Sequence, residues 1–346
     1  MTLKEIAKLA GVSASTVSRV LNTPDNSFGT EEVRSRIWKI VNETHYIPNS
    51  SAQVLRNSKR STKSNVSAKT IVCIFGRAHS LEDVPIFNRM ILSVKHYALQ
   101  YGYNVIGAYS AFDITDKAIE IQLFNQTVDG VIVMGRISDK TEALIAKNFS
   151  NIIYVGLNNC DLKCDQVIVD GFETGKLVME HLLGLGHRTI GYLGETKKEV
   201  RFAAYRKSLQ HAGLNFDPSL VFNCNVTGSS GYTGGYNGIE ALLEQSAAKP
   251  TAIFCTNDPT AIGAIKKLAE MSIRVPEDIS IIGMDNTDMG QFISPMLTTI
   301  EFPQVEMGEA VVMLLISRIE KKHKIQTKIV LPPRLVIRES TAVPKT

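Results

Sequence analysis

Short apolar runs alternate with amphipathic segments throughout residues 69–346. Seven of these runs have the length and β-branched content of buried strands, and they read TIVCIFG, YNVIGAY, DGVIVMG, NIIYVGL, TIGYLGE, TAIFCTND and ISIIGMD. Helical periodicity lies between them, most clearly at residues 87–100, 172–185, 235–243 and 261–271. Strand–helix alternation is typical of parallel sheets covered by helices. Two such series in succession predict an α/β body of two doubly wound lobes.

The first 47 residues carry a different, all-helical pattern. Thr2 and Glu5 form a capping box before a first helix, which Gly11 ends. Ser13 is a good N-cap for a second helix, and a third begins at Thr30. The apolar residues that are expected to pack together are Ile6, Leu9, Ala10, Val17, Val20, Leu21, Val33, Ile37, Ile40 and Val41. Three short helices with a tight glycine turn between the first two predict a helix-turn-helix.

Residues 48–68 separate these two parts. Pro48 breaks the third helix, and Asn49 or Ser50 can cap a short new helix that runs through Leu55. Ser, Lys, Asn and Thr then dominate as far as residue 68, a composition typical of linkers. The sequence therefore predicts three parts, at residues 1–47, 48–68 and 69–346.

The positive charge is concentrated at the N-terminal end. The formal net charge is +4, but residues 1–64 hold ten Lys or Arg against five acidic residues, while the remainder is close to neutral. This asymmetry indicates a small module for a polyanion joined to a neutral body. On charge alone, a solvated basic surface without a partner remains an alternative.

One face of the second helix is polar and has few charges. Ser15, Ser18, Arg19 and Asn22 share this face by their spacing, opposite the apolar stripe. The second helix of a helix-turn-helix lies in the DNA major groove, where arginine can bond guanine O6 and N7. A solvated face with no DNA role is the alternative, but Ser and Thr are indifferent helix formers. The pattern therefore favours double-stranded DNA as the partner.

Polar residues follow two of the apolar runs in the body. Ligands of doubly wound sheets bind beyond the carboxyl ends of the strands. Amide and carboxyl groups there suit a neutral, hydroxyl-rich ligand, with aromatic rings as stacking faces and an arginine as a charged donor. The residues considered for this role are Phe87, Arg201, Tyr232, Asn257, Asp258 and Asp285. Helix capping explains Asp258 and Asp285 equally well from the sequence alone.

Three stretches resemble one known family. LKEIAKLAGVSASTVSRVLN, YIPNSSAQVLR and TIVCIFG are similar to the LacI/GalR family of bacterial transcriptional repressors, and the resemblance covers nearly the whole chain. It implies a helix-turn-helix unit and a body like the periplasmic sugar-binding fold, with a small effector, expected to be a sugar, between its lobes. It also implies a homodimer on a palindromic operator, with no cofactor and no metal.

The resemblance assigns DNA contacts residue by residue. Base-reading positions fall on Ala14, Ser15 and Arg19, and the family's hinge helix corresponds to residues 49–56. Leu55 stands where the family inserts a side chain into the minor groove, which kinks the duplex. The complete expected set is Ser13, Ala14, Ser15, Thr16, Ser18, Arg19, Asn22, Tyr46, Asn49, Ala52, Leu55 and Arg56.

The family's effector contacts fall on Arg201, Asn257 and Asp285, with Phe87 in the first strand–helix loop. Two positions depart from sugar-binding relatives. Gly156 or Leu157 replaces a common aspartate, and Val226 lies where some members have an aromatic ring. The pieces VRFAAY and SSGY are most similar to galactose- or β-galactoside-responsive members.

Other classes of protein fit the sequence less well. No glycine-rich phosphate loop and no serine elbow follow any apolar run, so an enzyme is not expected. The five cysteines lack the spacing of a metal site. The start of the chain is charged and amphipathic, and no apolar run reaches the ~18 residues that span a bilayer. An exported solute-binding protein would need a signal segment, so we expect a cytoplasmic protein.

Overall fold

The computed structural model describes residues 3–22, 30–43, 69–124, 127–158, 160–224 and 231–345. The chain divides into two compact units, Met1–Ser67 and Ala68–Thr346, and each is described by itself.

The first unit contains three helices, α1 (Leu3–Ala10), α2 (Ala14–Asn22) and α3 (Glu31–Glu43). Gly11 has a positive φ of 67° at the end of α1, and the Val12 backbone N–H donates to the Ala7 carbonyl oxygen at 3.0 Å. The core of this unit contains Ile6, Ala7, Ala10, Val17, Val20, Ile37 and Val41. These helices and this core confirm the predicted helix-turn-helix, but Leu9, which was expected to pack with them, is exposed.

A six-stranded parallel sheet forms the first lobe of the second unit. Its strands are β1 (Lys69–Phe75), β2 (Tyr103–Ser110), β3 (Gly130–Met134), β4 (Ile152–Gly156), β5 (Asp165–Val169) and, from much later in the chain, β11 (Lys328–Leu331). Their order across the sheet is β11-β5-β4-β3-β1-β2. The helices α4 (Pro85–Gln100), α5 (Lys117–Phe124), α6 (Asp139–Asn148) and α12 (Gln304–Ile319) belong to this lobe.

A four-stranded parallel sheet forms the second lobe. Its strands are β6 (Ile190–Leu193), β7 (Val221–Phe222), β8 (Ala252–Cys255) and β9 (Ser280–Ile282), in the order β7-β6-β8-β9. Its helices are α7 (Gly171–Gly184), α8 (Val200–His211), α9 (Gly231–Gln245), α10 (Asp258–Glu270) and the short α11 (Met289–Phe292). An antiparallel pair, β10 (Thr299–Glu301) and β12 (Arg334–Val336), completes the unit.

The chain crosses between the lobes three times, near residues 170, 303 and 332–333. All seven predicted strands are present, so the two-lobed α/β body is confirmed. The crossings also place α12 and β11 in the first lobe. The short run KIVL was not predicted as a strand. In the structure it forms β11, and its positions alternate between exposed and half-buried.

Two kinds of feature are absent from the described residues. None of their helices is long and apolar enough to cross a membrane. Within the same residues, no group of three or more His, Cys, Asp or Glu side chains has the arrangement of a metal site.

Candidate functional site

The start of α2 presents a group of hydroxyl side chains. The Ser13 Oγ accepts a hydrogen bond from the Thr16 backbone N–H at 3.1 Å, which caps the helix. The same oxygen lies 2.7 Å from Ser15 Oγ and 2.8 Å from Thr16 Oγ1. Ser15 and Arg19 are exposed, one turn apart on the same face. This face, Ser13–Ser15–Thr16–Arg19, is called the α2 polar face below.

The α2 polar face lies opposite the buried side of its helix. Val17 and Val20 anchor the opposite side of α2 in the core, so the polar residues point outward from a fixed helix. Ala14, at the first position of α2, is half-buried. Small side chains at a helix N-terminus let its positive dipole end approach phosphates closely.

Several residues predicted to contact DNA lie wholly or partly outside the described part of the structure. Ser18 and Asn22 lie within α2, but their side chains are outside the described part of the structure. The others that lie outside the described residues are Tyr46, Asn49, Ala52, Leu55 and Arg56.

A cavity of about 80 Å³ lies between the two lobes of the second unit, at the carboxyl ends of their strands. Most of its wall from the first lobe is apolar and includes the start of α4. The lining residues that bear on the following argument are Arg77, Phe87, Arg136, Tyr154, Gly156, Arg201, Asn257, Asp285, Phe302 and Met307. The structure thus brings four of the six predicted effector residues together: Phe87, Arg201, Asn257 and Asp285.

Phe87 lines the cavity from a position that differs from the prediction. It lies in the first turn of α4, not in the preceding loop, and is only 8% exposed. Its ring packs against Gly135, where an added Cβ would lie 2.6 Å from the Phe87 Cζ atom. The helix starts early because Pro85, at its first position, has a φ suited to a first turn.

Asp285 places a buried carboxyl group in the cavity. Its backbone has a positive φ of 116°, and its backbone N–H donates to the Ile300 carbonyl oxygen at 2.8 Å. Within the described residues, no hydrogen bond reaches its carboxyl oxygens. Burial, and then the nearby charge of Asp258, raise the pKa of Asp285 well above its usual value, against the opposing effect of Arg201. The carboxyl group is therefore shifted toward its neutral form, which both donates and accepts hydrogen bonds.

Arg201 is buried and already largely bonded. Its Nε and Nη2 atoms donate to the two carboxylate oxygens of Glu199 at 2.7 and 2.8 Å, and Nη1 donates to the Thr256 carbonyl oxygen at 2.6 Å. Burial alone would raise the pKa of Glu199, but the charge of Arg201 lowers it below its usual value. The pair is thus ionised, and little of the guanidinium group is left for an anionic ligand.

Asn257 and Asp258 have different roles although they are adjacent. The Asn257 Oδ1 caps α10 by accepting from the Thr260 backbone N–H at 2.8 Å, and Asn257 lines the cavity. Asp258 is fully buried and is not among the cavity residues. Its carboxylate accepts hydrogen bonds from the Thr287 backbone N–H at 2.6 Å and from Thr299 Oγ1 at 2.6 Å.

The expectation that Asp258 faces the ligand is therefore corrected by the structure. Its acceptors are occupied by the loop that follows β9, and this is the loop that carries Asp285. Asp258 acts on the cavity by fixing that loop.

Tyr232 is also absent from the cavity wall. It lies at the second position of α9 and is 43% exposed. Its carbonyl oxygen lies so close to Gly263 that an added Cβ there would be 2.0 Å away, so α9 is held tightly against α10. Phe87 lies in the wall, and the predicted stacking role of Tyr232 has no place there.

Ion pairs connect the lobes around the cavity. Arg77 and Arg136 of the first lobe both pair with Glu195 of the second, and Arg136 Nη1 also donates to the Lys197 carbonyl oxygen at 2.9 Å. Arg89 of α4 pairs with Asp288 across the same gap. These ion-paired residues were not predicted from the sequence, although Arg77 and Arg136 each directly follow an apolar run, at the strand ends where ligands of such sheets bind.

Two protein-family models match the chain. The model of bacterial regulatory proteins of the lacI family matches residues 2–49, and that of the periplasmic binding protein-like domain matches residues 179–341. The chain is 31% identical over 347 residues to the ribose operon repressor of Haemophilus influenzae, covering 98% of each chain. It is 32% identical over 348 residues to the HTH-type transcriptional repressor PurR of Aliivibrio salmonicida, again covering 98% of each chain.

Solved structures give the same assignment. The lac repressor dimer bound to operator and the anti-inducer ONPF has a TM-score of 0.68 and 25% identity, with 99% of both chains covered. A LacI family transcriptional regulator from Enterococcus faecium with bound ribose has a TM-score of 0.68 and 27% identity, covering 80% of this chain and all of that one. With a helix-turn-helix unit, a two-lobed body and relatives above 30% identity over almost its full length, the chain belongs to the lacI family of bacterial regulatory proteins.

Proposed function

We propose that this protein is a sequence-specific transcriptional repressor that binds a palindromic DNA operator as a homodimer, with its DNA affinity set by a neutral small molecule of the sugar class. It is not an enzyme, and it acts in the cytoplasm. The observation that carries the proposal is that one chain combines the exposed α2 polar face with an enclosed interlobe cavity.

The DNA part of the proposal rests on the α2 polar face. Ser15 and Arg19 are exposed one turn apart, on a helix fixed by buried valines. Arginine reads guanine edges in the major groove, and short hydroxyl side chains bond bases or phosphates. The hinge role of residues 49–56 and the minor-groove wedge of Leu55 are proposed from the family resemblance. A structural relative, the lac repressor, is a dimer bound to operator, which supports the same arrangement here.

The ligand class is inferred from the groups that line the cavity. Arg201 is paired with Glu199, while Arg77 and Arg136 share Glu195, so all three guanidinium groups contact a carboxylate, and Asp285 is shifted toward its neutral form. A ligand therefore meets hydrogen-bonding groups and an apolar wall, with no unpaired cation among these arginines. Such a wall suits the apolar face of a sugar ring. The ribose bound by one structural relative and the name of the ribose operon repressor agree with this class.

Control of DNA affinity requires that the ligand bind one arrangement of the lobes better than another. The ligand can shift the equilibrium only by its difference in affinity for the two states, typically about 1–3 kcal/mol. The interlobe pairs of Glu195 with Arg77 and Arg136 are contacts that such a rearrangement would make or break. The predicted hinge segment, residues 48–68, would transmit the change to DNA.

In vitro selection of random double-stranded DNA tests the DNA part. We expect a pseudo-palindrome, whose two-fold symmetry mirrors the dimer. Arg19→Ala should lose the preference at one base pair in each half-site, while Lys39→Ala, an exposed control on α3, should keep it. Leu55→Ala should weaken specific binding and spare salt-sensitive non-specific binding. Recovery of unrelated sequences with no symmetry would refute the proposal.

Thermal shift of the purified full-length protein tests the ligand part. The probes are D-ribose, D-galactose, cellobiose and, as a flat heteroaromatic alternative, hypoxanthine. A neutral sugar should raise the Tm and change operator affinity, and Asp285→Ala should abolish the response without weakening DNA binding. Glu244→Ala, an exposed acid elsewhere on the second lobe, is the matched control. A response to hypoxanthine alone would contradict the sugar class.

A further inference from the structure

The hydroxyl group of Tyr154 is buried without a partner. Tyr154 lies in β4 and is 1% exposed, and its Oη has no hydrogen bond within the described residues. Two other buried tyrosines differ from it. Tyr192 and Tyr205 donate to the carbonyl oxygens of Glu195 and Ile190, each at 2.8 Å. Because an unpaired buried polar group destabilises a fold, the Tyr154 hydroxyl needs an explanation.

The position of Tyr154 supplies one. It is two residues from the carboxyl end of β4, and both Tyr154 and Gly156 line the interlobe cavity. The hydroxyl lies directly over Gly156, where an added Cβ would be 2.5 Å from Tyr154 Oη and 2.9 Å from Cζ. Any larger residue at position 156 would have to displace the ring. Gly156 thus leaves the space that the Tyr154 hydroxyl group occupies beside the cavity.

The protonation state of Tyr154 suits a donor. Burial raises the pKa of Tyr154, and the opposing charges of Arg136 and Arg77 only partly offset this. The phenol therefore stays protonated at neutral pH and has a proton to donate. Both arginines are paired with Glu195, so they are occupied by that interlobe contact.

We propose that the Tyr154 hydroxyl donates a hydrogen bond to an oxygen of the neutral ligand in the cavity, and that Gly156 sets this specificity by leaving room for it. This inference rests on the proposed function, because it assumes a ligand of the sugar class. It adds a contact on β4, in the first lobe, to those expected from Asn257 and Asp285 of the second lobe.

Tyr154→Phe separates ligand binding from stability. The probe is whichever of D-ribose, D-galactose and cellobiose gives the largest thermal shift with the wild-type full-length protein, and its Kd is measured by calorimetry. Loss of one hydrogen bond should raise the Kd about tenfold, which corresponds to ~1.4 kcal/mol. The Tm of the ligand-free variant should equal or exceed that of the wild type, because an unpaired buried hydroxyl has been removed.

Tyr103→Phe is the matched control. The Tyr103 hydroxyl is also buried, but Tyr103 is the first residue of β2 and does not line the cavity. This variant should keep the wild-type Kd.

Three results would overturn the inference. An unchanged Kd in Tyr154→Phe would remove the proposed contact while leaving the proposed function intact. A clearly lowered ligand-free Tm would show that the hydroxyl is bonded within the protein or to a structural water. If no sugar shifts the Tm of the wild type, the proposed ligand class fails, and the inference fails with it.

Discussion

Removing the charge of Glu199 tests how much the buried Glu199–Arg201 pair stabilises the fold and compensates the charge of Arg201 beside the cavity. The Glu199 side chain is fully buried, and Arg201 is 2% exposed. Glu199→Gln preserves size and one acceptor oxygen, which can still cap α8 by accepting from the Arg201 backbone N–H. The substitution therefore removes the negative charge, one of the two bonds to the Arg201 guanidinium group, and the ion pair of Glu199 with Arg136 Nη2 at 3.6 Å.

The expected loss of stability follows from the burial of the pair. Removing one partner of a buried ion pair leaves an uncompensated charge, and this destabilises a protein by about 3–5 kcal/mol. Each kcal/mol lowers the Tm of a large domain by about 2–4 °C, so the Tm should fall by roughly 10 °C. An exposed pair contributes less than about 1 kcal/mol. Glu173→Gln, which breaks the exposed pair with Lys176 in α7, should therefore have little effect.

The pH dependence of this loss has a definite sign. The pKa of Glu199 is lowered in the folded protein, so its contribution is present above the usual carboxyl pKa and is lost as the pH falls through the folded value. Urea unfolding of both variants and the wild type from pH 7 to pH 3 measures this. The gap between wild type and Glu199→Gln should be widest at pH 7 and should narrow at low pH.

Ligand preference provides a second measurement for the same variant. With Glu199 neutral, the buried guanidinium group of Arg201 lacks its counter-charge, and the cavity should accept a carboxylate-bearing sugar such as D-galacturonate better than the wild type does. A loss of stability below about 1 kcal/mol, within the range of exposed pairs, would refute the reasoning. A difference in unfolding free energy between wild type and Glu199→Gln that does not change with pH would also refute it.

Three further predictions concern packing, acid stability and lobe closure. Gly235→Ala should destabilise the protein by about 2 kcal/mol or more in urea, because the new Cβ would lie 1.9 Å from the Thr260 carbonyl oxygen and force α9 and α10 apart. Asp165→Asn should lower stability to urea at pH 7, and the stability of the variant should fall less steeply at acid pH than that of the wild type. Burial raises the pKa of Asp165, but hydrogen bonds led by that of Arg318 lower the pKa overall. The stabilisation by the Asp165 carboxylate is therefore lost only as the pH drops below the usual carboxyl range. Arg136→Ala should open the ligand-free lobes, seen as a larger radius of gyration in X-ray scattering, and unchanged scattering would contradict a role for the interlobe pairs.

The candidate site was only partly predictable. The strand-end rule correctly directed attention to Asn257 and Asp285, since both follow apolar runs that became strands. The same rule did not separate Asn257 from its neighbour Asp258. Which of two adjacent residues faces the cavity depends on where Thr287 and Thr299 lie. Thr287 is in the loop that follows β9 and Thr299 is in β10, and both are distant from Asp258 in the chain.

Tyr154 lines the cavity but was not predicted from the sequence. Within the run NIIYVGL it reads as one more apolar strand residue, and nothing local indicates an unpaired hydroxyl. The one signal was that Gly156 or Leu157 replaces an aspartate common in the family, and no physical reason for this departure is visible in the sequence. The physical reason is that the Tyr154 side chain occupies the position where a Cβ at residue 156 would lie.

The sequence by itself determined the features that depend on neighbours three or four residues away. The Ser13 cap, the turn at Gly11 and the alternation of strands and helices in the body are local features, and the structure contains these three. The tertiary structure decided which distant elements meet. It placed β11 beside β5, paired Arg77 and Arg136 with Glu195 across the cavity, and kept Asp258 and Tyr232 out of it. These outcomes depend on sheet order and on three crossings between lobes, which bring together residues far apart in the chain and leave no periodic trace in it.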